Sequence, residues 1–218
     1  MRVTDAAERL GVSVSTAHRL LTALVHRGFA EQLADRRYGP GGLLSRSPAS
    51  RDAVARLREA ALPHMRRLVD RWGETANLTI LVGVMVRFVA TVEGGRVLRV
   101  GDRTGRTLPA HLSSGGKAML AMLSPEELEP VLDDLDGEAR ARLHRELRAV
   151  RRRGHAVNDQ QTETGLTAVG VALPRVAGMP LASVALAMPT ARYSRNSLPV
   201  WSADLAAAAG AIARDLTP

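Results

Sequence analysis

Two glycines, Gly11 and Gly28, divide the first 40 residues of this chain, and their positions constrain its fold more than any other feature. Each follows a segment whose apolar residues recur every three or four positions, as on one face of a helix. Glycine commonly ends a helix because it adopts the left-handed conformation without strain. Beyond Gly28, alternating residues on both sides of the turn at 34–37 predict a small β-hairpin. The sequence therefore predicts a helix, a tight turn, a second helix and a hairpin.

This order is typical of a helix-turn-helix, in which one helix braces a second that enters the major groove of DNA. Polar side chains gather at the start of the second segment, where hydroxyls suit phosphate oxygens and an arginine reaches a phosphate or a guanine edge. The hairpin tip also carries arginines and is the expected wing. The alternative is a capped amphipathic surface helix, because serine caps and exposed arginines are common. The residues that we expect to contact DNA are Ser13, Ser15, Thr16, His18, Arg19, Thr22, Arg36, Arg37 and Tyr38.

The formal net charge of +8 favours a polyanionic partner, because basic side chains that contact phosphates release counterions. The excess is concentrated at the start of the chain, where residues 1–58 hold ten arginines and five acidic residues. A compositional explanation stays open, since Lys117 is the only lysine and the bias towards arginine and alanine is typical of a GC-rich genome. The distribution of charge, more than its sum, therefore favours DNA as a partner.

Several classes of protein are excluded by what the sequence lacks. With no cysteine, it has no disulfide framework and no thiolate metal site. No apolar run approaches the roughly 18 residues of a membrane span, and no signal peptide is visible. The histidines lack zinc-site spacing, residues 113–117 do not match a P-loop, and no nucleophile–base pair of a hydrolase is recognisable. We therefore expect a cytoplasmic protein with no membrane partner, no metal, no cofactor and no catalytic activity.

Beyond the hairpin, the sequence pattern indicates a linker, a long helix and then a region of mixed helices and strands. Residues 39–50 are rich in glycine, serine and proline, which indicates a linker. A helix is expected from Asp52 to Trp72, in which Pro63 either causes a kink or begins a second segment. Further helices are expected to open near residues 112 and 124 and to span 138–153 and 198–216. Strands are expected at 77–82, 85–92, 97–100, 155–158, 166–173 and 181–187. Antiparallel strands interleaved with helices predict an α+β fold, with one sheet and flanking helices.

The stretch from Val3 to Glu31 resembles the winged helix-turn-helix of the IclR-type bacterial transcription regulators, most specifically in its Ser-Thr-Ala-His-Arg-Leu-Leu core followed by Gly-Phe. Asp35 to Pro40 resembles the wing of that family, and 109–121 its Gly-Lys-Ala helix start. Residues 147–170 resemble its basic helix, acidic stretch and strand. The resemblance covers nearly the whole chain. It implies a winged helix-turn-helix domain at 1–45, a linker helix at 46–72 and a GAF-like effector-binding domain at 73–218.

The resemblance also implies a homodimer or homotetramer that binds double-stranded operator DNA and a small-molecule effector, often an organic acid. The effector residues implied by matching positions are Met85, Val100, Ser113, Ser114, Gly115, Asn158, Glu163, Ala168, Ala185 and Ala187. The backbone around Ser113–Gly115 either holds a carboxylate or is a plain helix start that uses glycine for close packing. Asn158 stands where the family often has aspartate, and alanines stand where it often has serine or cysteine. These departures predict a larger or more apolar effector than a two-carbon acid.

One further departure concerns the start of the chain. The family usually has another helix before Val3, which braces the module and helps to pair subunits, whereas only Met1 and Arg2 precede it here. We therefore expect the first helix to be missing from this chain. An alternative function follows, namely a ligand-binding or oligomerisation protein that has lost DNA binding through a shortened N-terminus.

Overall fold

The computed structural model describes residues 1–33, 35–41, 48–133 and 135–217. Its N-terminal elements are α1 (Val3–Leu10), α2 (Val14–His26), β1 (Ala30–Gln32), β2 (Tyr38–Pro40) and the long α3 (Pro48–Trp72). The larger part contains β3 (Thr75–Val82), β4 (Met85–Val92), β5 (Thr107–Pro109), α4 (Ser114–Leu120), α5 (Pro125–Leu132) and α6 (Gly137–Arg153), then β6 (Ala156–Asp159), β7 (Leu166–Ala172), β8 (Ala182–Pro189) and α7 (Leu198–Leu216).

The N-terminal elements have the predicted order. Gly11 ends α1 with a φ of 63°, and Gly28 follows α2 with a φ of 73°, both in the left-handed region that glycine tolerates. Strands β1 and β2 pair antiparallel as the hairpin. The backbone of Met1 exchanges hydrogen bonds with that of Tyr38, which ties the start of the chain to the hairpin. A small core joins these elements, with Ala6, Ala7, Ala17, Leu21 and Tyr38 buried in it. The predicted winged helix-turn-helix is confirmed.

The linker helix is continuous. Pro63 lies inside α3 without dividing it, so the alternative of a second segment that begins there is wrong, and this part of the chain forms one helix of 25 residues. Its C-terminal end packs on α7, where Trp72 and Trp201 meet edge to face at 6.2 Å. The indole nitrogen of Trp72 donates to Asp204 at 2.9 Å. Part of the predicted linker at 39–50 lies outside the described residues.

Six antiparallel strands form the main sheet in the order β5-β4-β3-β8-β7-β6. Helices α3 and α7 cover one face, where every second residue of the central strands is apolar, such as Leu78, Val184 and Val169. Helix α4 packs on the other face, while α5 and α6 enclose a second core with it. On that face the central strands carry small or polar residues, such as Thr79, Ala185 and Gly170. The α+β prediction with an antiparallel sheet and flanking helices is confirmed.

The predicted strand at residues 97–100 is wrong. This segment is irregular, and Val97 is fully exposed. Its carbonyls accept hydrogen bonds from side chains instead of a neighbouring strand: Arg192 donates to the carbonyl of Leu98, and Thr75 donates to that of Val100. On the side away from β3, β4 instead pairs with β5, a strand of three residues that the sequence pattern did not reveal.

Candidate ligand cavity and nucleic-acid interface

The first turn of α2 presents a cluster of exposed hydroxyl groups. Ser13 caps the helix by accepting a hydrogen bond from the backbone nitrogen of Thr16 at 3.2 Å. Its hydroxyl also lies 3.0 Å from that of Ser15 and 2.9 Å from that of Thr16. His18 and Arg19 are exposed on the next turn, and Thr22 is half-buried. This end of the helix is therefore polar, accessible and able to contact an anionic surface, as phosphate and base contacts require.

The hairpin tip is also exposed, and its conformation is held locally. Arg36 adopts a φ of 60°, and the backbone nitrogen of Arg37 donates to Asp35 at 3.1 Å. The guanidinium of Arg37 pairs with the same carboxylate, and these contacts lower the pKa of Asp35. Tyr38 differs from the other predicted contact residues, because its side chain is buried in the small core. Tyr38 therefore stabilises the hairpin by packing in this core.

In the larger domain, a cavity lies between α4 and the face of the sheet that carries small and polar residues. It encloses about 410 Å³ of space, including the part open to solvent. Its walls combine apolar and small side chains with a few hydroxyl, amide and charged groups, the usual composition of a ligand site. The lining residues are Asn77, Thr79, Phe88, Arg103, Leu108, Ser113, Ser114, Gly115, Asn158, Thr162, Leu166, Ala168, Ala185 and Ala187.

The polar groups in the cavity wall are positioned by hydrogen bonds to their neighbours. The hydroxyl of Thr79 lies 2.7 Å from that of Ser183, and Asn77 accepts a bond from Thr91 at 2.9 Å. Asn158 donates to Thr162 at 2.7 Å and accepts from the backbone nitrogen of residue 161 at 2.8 Å. These bonds fix the orientation of the polar groups before any ligand arrives.

The start of α4 approaches the sheet so closely that an added Cβ would clash at two glycine positions. A Cβ atom on Gly115 would overlap the hydroxyl of Ser183, and one on Gly170 would lie 2.7 Å from the backbone nitrogen of Gly115. Ser113 caps the helix by accepting from the nitrogen of Gly116 at 2.9 Å. The close-packing interpretation of this glycine-rich turn therefore has a direct structural basis, and the same turn lines the cavity.

One charged side chain lines the cavity among the described residues. Arg103 follows β4 in the loop before β5, and its side chain is only 10% exposed. One of its terminal nitrogens donates to Oε2 of Glu163 at 2.6 Å. That hydrogen bond lowers the pKa of Glu163, because the guanidinium stabilises the carboxylate form. The cavity therefore contains a positive charge that a carboxylate of the same chain already neutralises.

The loop that carries Glu163 has a second buried cation at its base. Lys117 of α4 is almost completely buried, and its ammonium donates to Glu146 at 3.0 Å and to Gln161 at 2.9 Å. Burial lowers the pKa of Lys117, since a charged ammonium is poorly solvated there, and the hydrogen bond that the ammonium donates to Glu146 opposes that shift. Lys117 thus joins α4, α6 and the loop between β6 and β7, where part of the cavity wall is formed.

Seven of the ten predicted effector residues line this cavity: Ser113, Ser114, Gly115, Asn158, Ala168, Ala185 and Ala187. The other three do not. Met85 lies at the start of β4 opposite Pro109 and lines a separate surface hollow. Val100 packs in a cluster with Leu166 and Ala187, which do line the cavity, and Glu163 accepts a hydrogen bond from the lining residue Arg103.

Seven lining residues were missed by the sequence prediction: Asn77, Thr79, Phe88, Arg103, Leu108, Thr162 and Leu166. A signal for two of them was present, because Asn77 and Thr79 alternate with apolar residues along β3 and so face the side opposite Leu78. No local pattern distinguishes Arg103 from the other arginines of its loop.

No helix in the described parts of the chain combines the length and the apolar character needed to cross a membrane. Within the same residues, no group of three or more His, Asp or Glu side chains is arranged to hold a metal ion.

Comparisons with known proteins found matches for both the N-terminal elements and the larger domain. A family model described as the bacterial transcriptional regulator IclR C-terminal region matches residues 53–214, and one described as the IclR helix-turn-helix domain matches residues 1–34. The HTH-type transcriptional regulator BhcR of Paracoccus denitrificans is 31% identical, over 100% of this chain and 81% of that protein.

Solved structures show the same likeness. The IclR protein of Thermotoga maritima matches with a TM-score of 0.69 and 27% identity, over 100% of this chain and 92% of that one. An IclR homologue from Microbacterium hydrocarbonoxydans, complexed with 4-hydroxybenzoate, matches with a TM-score of 0.67 and 27% identity, over 99% of this chain and 91% of that one.

Proposed function

Because this chain belongs to the IclR family of bacterial transcriptional regulators, we propose that its α2 enters the major groove of an operator while its hairpin contacts the flanking backbone. The observation that carries this proposal is the exposed polar first turn of α2, with Arg19 one turn further along. Serine and threonine hydroxyls contact phosphates and fix the register of the helix, and arginine adds a charged contact to a phosphate or a guanine.

The cavity between α4 and the sheet is the proposed effector site. Apolar side chains such as Phe88, Leu108 and Leu166 contribute much of its wall, and this supports an effector that is larger or more apolar than a two-carbon acid. An effector that binds one arrangement of the DNA-binding domains more tightly than another shifts the occupancy of the operator. The long α3 joins the two domains and is the proposed route of that change.

The proposed assembly is a homodimer or homotetramer that acts on DNA in the bacterial cytoplasm, with no catalytic step. Paired helix-turn-helix modules recognise the two halves of a near-palindromic operator, so one protomer alone would contact only half of it. Light scattering after size-exclusion chromatography measures the assembly directly. A species that remains a monomer at micromolar concentration, with and without operator DNA, would contradict this part of the proposal.

The proposed DNA contact is tested by replacing Arg19 and measuring fluorescence anisotropy on labelled DNA from the region upstream of the gene. Arg19→Ala removes a charged contact to phosphate or base, and we expect roughly tenfold weaker binding or more. Arg27→Ala is the matched control, because Arg27 is also exposed and caps the opposite end of α2. Equal losses in the two variants would indicate a general effect of charge and would contradict the proposed orientation of α2.

The alternative function, a ligand-binding or oligomerisation protein without DNA binding, predicts a different result in the same assay. The wild-type chain, Arg19→Ala and Arg27→Ala would then all fail to show salt-dependent binding to the DNA. The extended polar surface on α2 favours the regulator over this alternative.

A further inference from the structure

The backbone of Arg103, the arginine in the cavity wall, is held in position by hydrogen bonds that do not involve Glu163, the ion-pair partner of its side chain. The backbone nitrogen of Arg103 donates to the hydroxyl of Thr91 at 3.2 Å, and that hydroxyl donates to Asn77 at 2.9 Å. These bonds anchor the loop to β3 and β4 and do not involve the guanidinium. The side chain can therefore exchange its partner while the loop stays in position.

The two sides of the ion pair have different surroundings. Arg103 is buried against an apolar cavity, where its guanidinium, which stays protonated at all physiological pH values, requires an anionic or strongly polar partner. Glu163 is about half-exposed, so its carboxylate can return to water at little cost. Separation of the pair is therefore favourable only if another anion reaches Arg103, and the cavity is the space from which it would come.

We propose that Arg103 determines the specificity of the effector site for carboxylates, and that Glu163 takes the place of the effector carboxylate while the site is empty. This inference rests on the proposed effector site. The ligand class is an organic acid with an apolar body, which packs against Phe88, Leu108 and Leu166 while its carboxylate pairs with Arg103. A planar guanidinium binds a carboxylate through two parallel hydrogen bonds, a geometry that a neutral amide does not reproduce.

Competition between two carboxylates for one guanidinium has measurable consequences. A ligand must displace Glu163, so removal of the charge in Glu163→Gln should tighten the binding of acids severalfold. Loss of the guanidinium in Arg103→Met should weaken the binding of acids by roughly tenfold or more, because a hydrogen bond between charged groups is lost. Arg103→Met should change the affinity for neutral amides of the same shape only slightly, because an uncharged amide gains little from the charge of the guanidinium.

The experiment is isothermal titration calorimetry on the full chain with three acids and their primary amides. The acids are 4-hydroxybenzoate, the ligand in the Microbacterium hydrocarbonoxydans complex, benzoate and 4-methylpentanoate. Arg99→Met is the matched control, because Arg99 lies in the same loop and pairs with Glu93 away from the cavity. We expect wild type and Arg99→Met to bind at least one acid at least tenfold more tightly than its amide. We expect Arg103→Met to lose that preference.

Three results would overturn the inference: amides that bind as tightly as acids, an Arg103→Met variant that keeps the wild-type affinity for acids, or no acid binding by wild type and Glu163→Gln alike. Thermal unfolding checks that each variant is folded. If Arg103→Met is not, Arg103→Lys decides in its place, since a lysine keeps the charge without the planar fork and should bind acids with intermediate affinity.

Anisotropy on the upstream DNA, run in parallel, separates this inference from the proposed function. A neutral compound that binds in the cavity and changes DNA affinity would leave the regulator intact and refute the role of Arg103. A chain that binds acids through Arg103 without binding DNA would refute the proposed function and leave the role of Arg103 standing.

Discussion

The close approach of α4 to the sheet makes Gly170→Ala the most informative test of the effector domain. The added Cβ would lie 2.7 Å from the nitrogen of Gly115 and 2.8–3.0 Å from the carbonyl carbon and oxygen of Ser114. All three atoms belong to the backbone, so no side chain can rotate away. The start of α4 must therefore move by about 0.7 Å to reach the shortest ordinary contact distance of 3.4 Å.

The expected magnitude follows from two opposing contributions. Overpacking a well-packed interior costs about 1–3 kcal/mol, and the backbone atoms of Ser114 and Gly115 that the new Cβ would meet place this site in the upper half of that range. Replacement of glycine by alanine in a strand returns about 0.5–1 kcal/mol, because the unfolded chain loses conformational freedom. The net expectation is a free energy of unfolding lower by about 1–2.5 kcal/mol.

Urea unfolding followed by tryptophan fluorescence measures this change in the right domain, because both tryptophans of the chain, Trp72 and Trp201, lie between α3 and α7. Protein concentration is held constant, since assembly would contribute to stability. Gly137→Ala is the control: a Cβ there meets nothing within 4 Å, and a helix favours alanine over glycine. A Gly170→Ala protein as stable as Gly137→Ala would refute the packing of α4 described above.

Two further predictions concern the cap of α2 and the ion pair in the cavity. Ser13→Ala removes the hydrogen bond from the backbone nitrogen of Thr16 and should lower the stability of α2 by about 0.5–2 kcal/mol. The loss should be seen as faster hydrogen exchange at the Thr16 amide, and unchanged exchange would contradict the cap. Because Arg103 lowers the pKa of Glu163, their pair stabilises the fold above pH 4.5 and ceases to do so as the pH falls through the lowered pKa. The difference in melting temperature between wild type and Glu163→Gln should therefore be largest near neutral pH and disappear in acid; a difference that grows in acid would contradict this sign.

The N-terminal domain was predictable because its determinants are local. Glycines after helical patterns, a serine cap and a short alternation lie within a few residues of what they control, and Gly11, Ser13 and Gly28 act in the structure as expected. The strand predicted at residues 97–100 was wrong because the determinants of this segment are not local. Its apolar alternation resembles a strand, yet the groups that bind its carbonyls, Arg192 and Thr75, come from distant parts of the chain.

The cavity was predictable only in part, for a similar reason. The family resemblance pointed to the start of α4 and to the small residues of β7 and β8, which do line it. The polar residues of β3 belong to the same wall because β3 is paired with β8, a neighbour more than 100 residues away in sequence. The orientation of Arg103 depends on the bonds of its loop to Thr91, which no spacing in the sequence reveals.

The measurement that tests the central claim most directly is the salt dependence of DNA binding by the wild-type chain. Fluorescence anisotropy on the upstream DNA is recorded at two or more salt concentrations, and the logarithm of the association constant is plotted against that of the salt concentration. Each phosphate contact contributes roughly −0.9 to the slope, so the contacts proposed for α2 and the hairpin predict a clearly negative slope of several units. Undetectable binding at low salt, or an affinity independent of salt, would contradict the account.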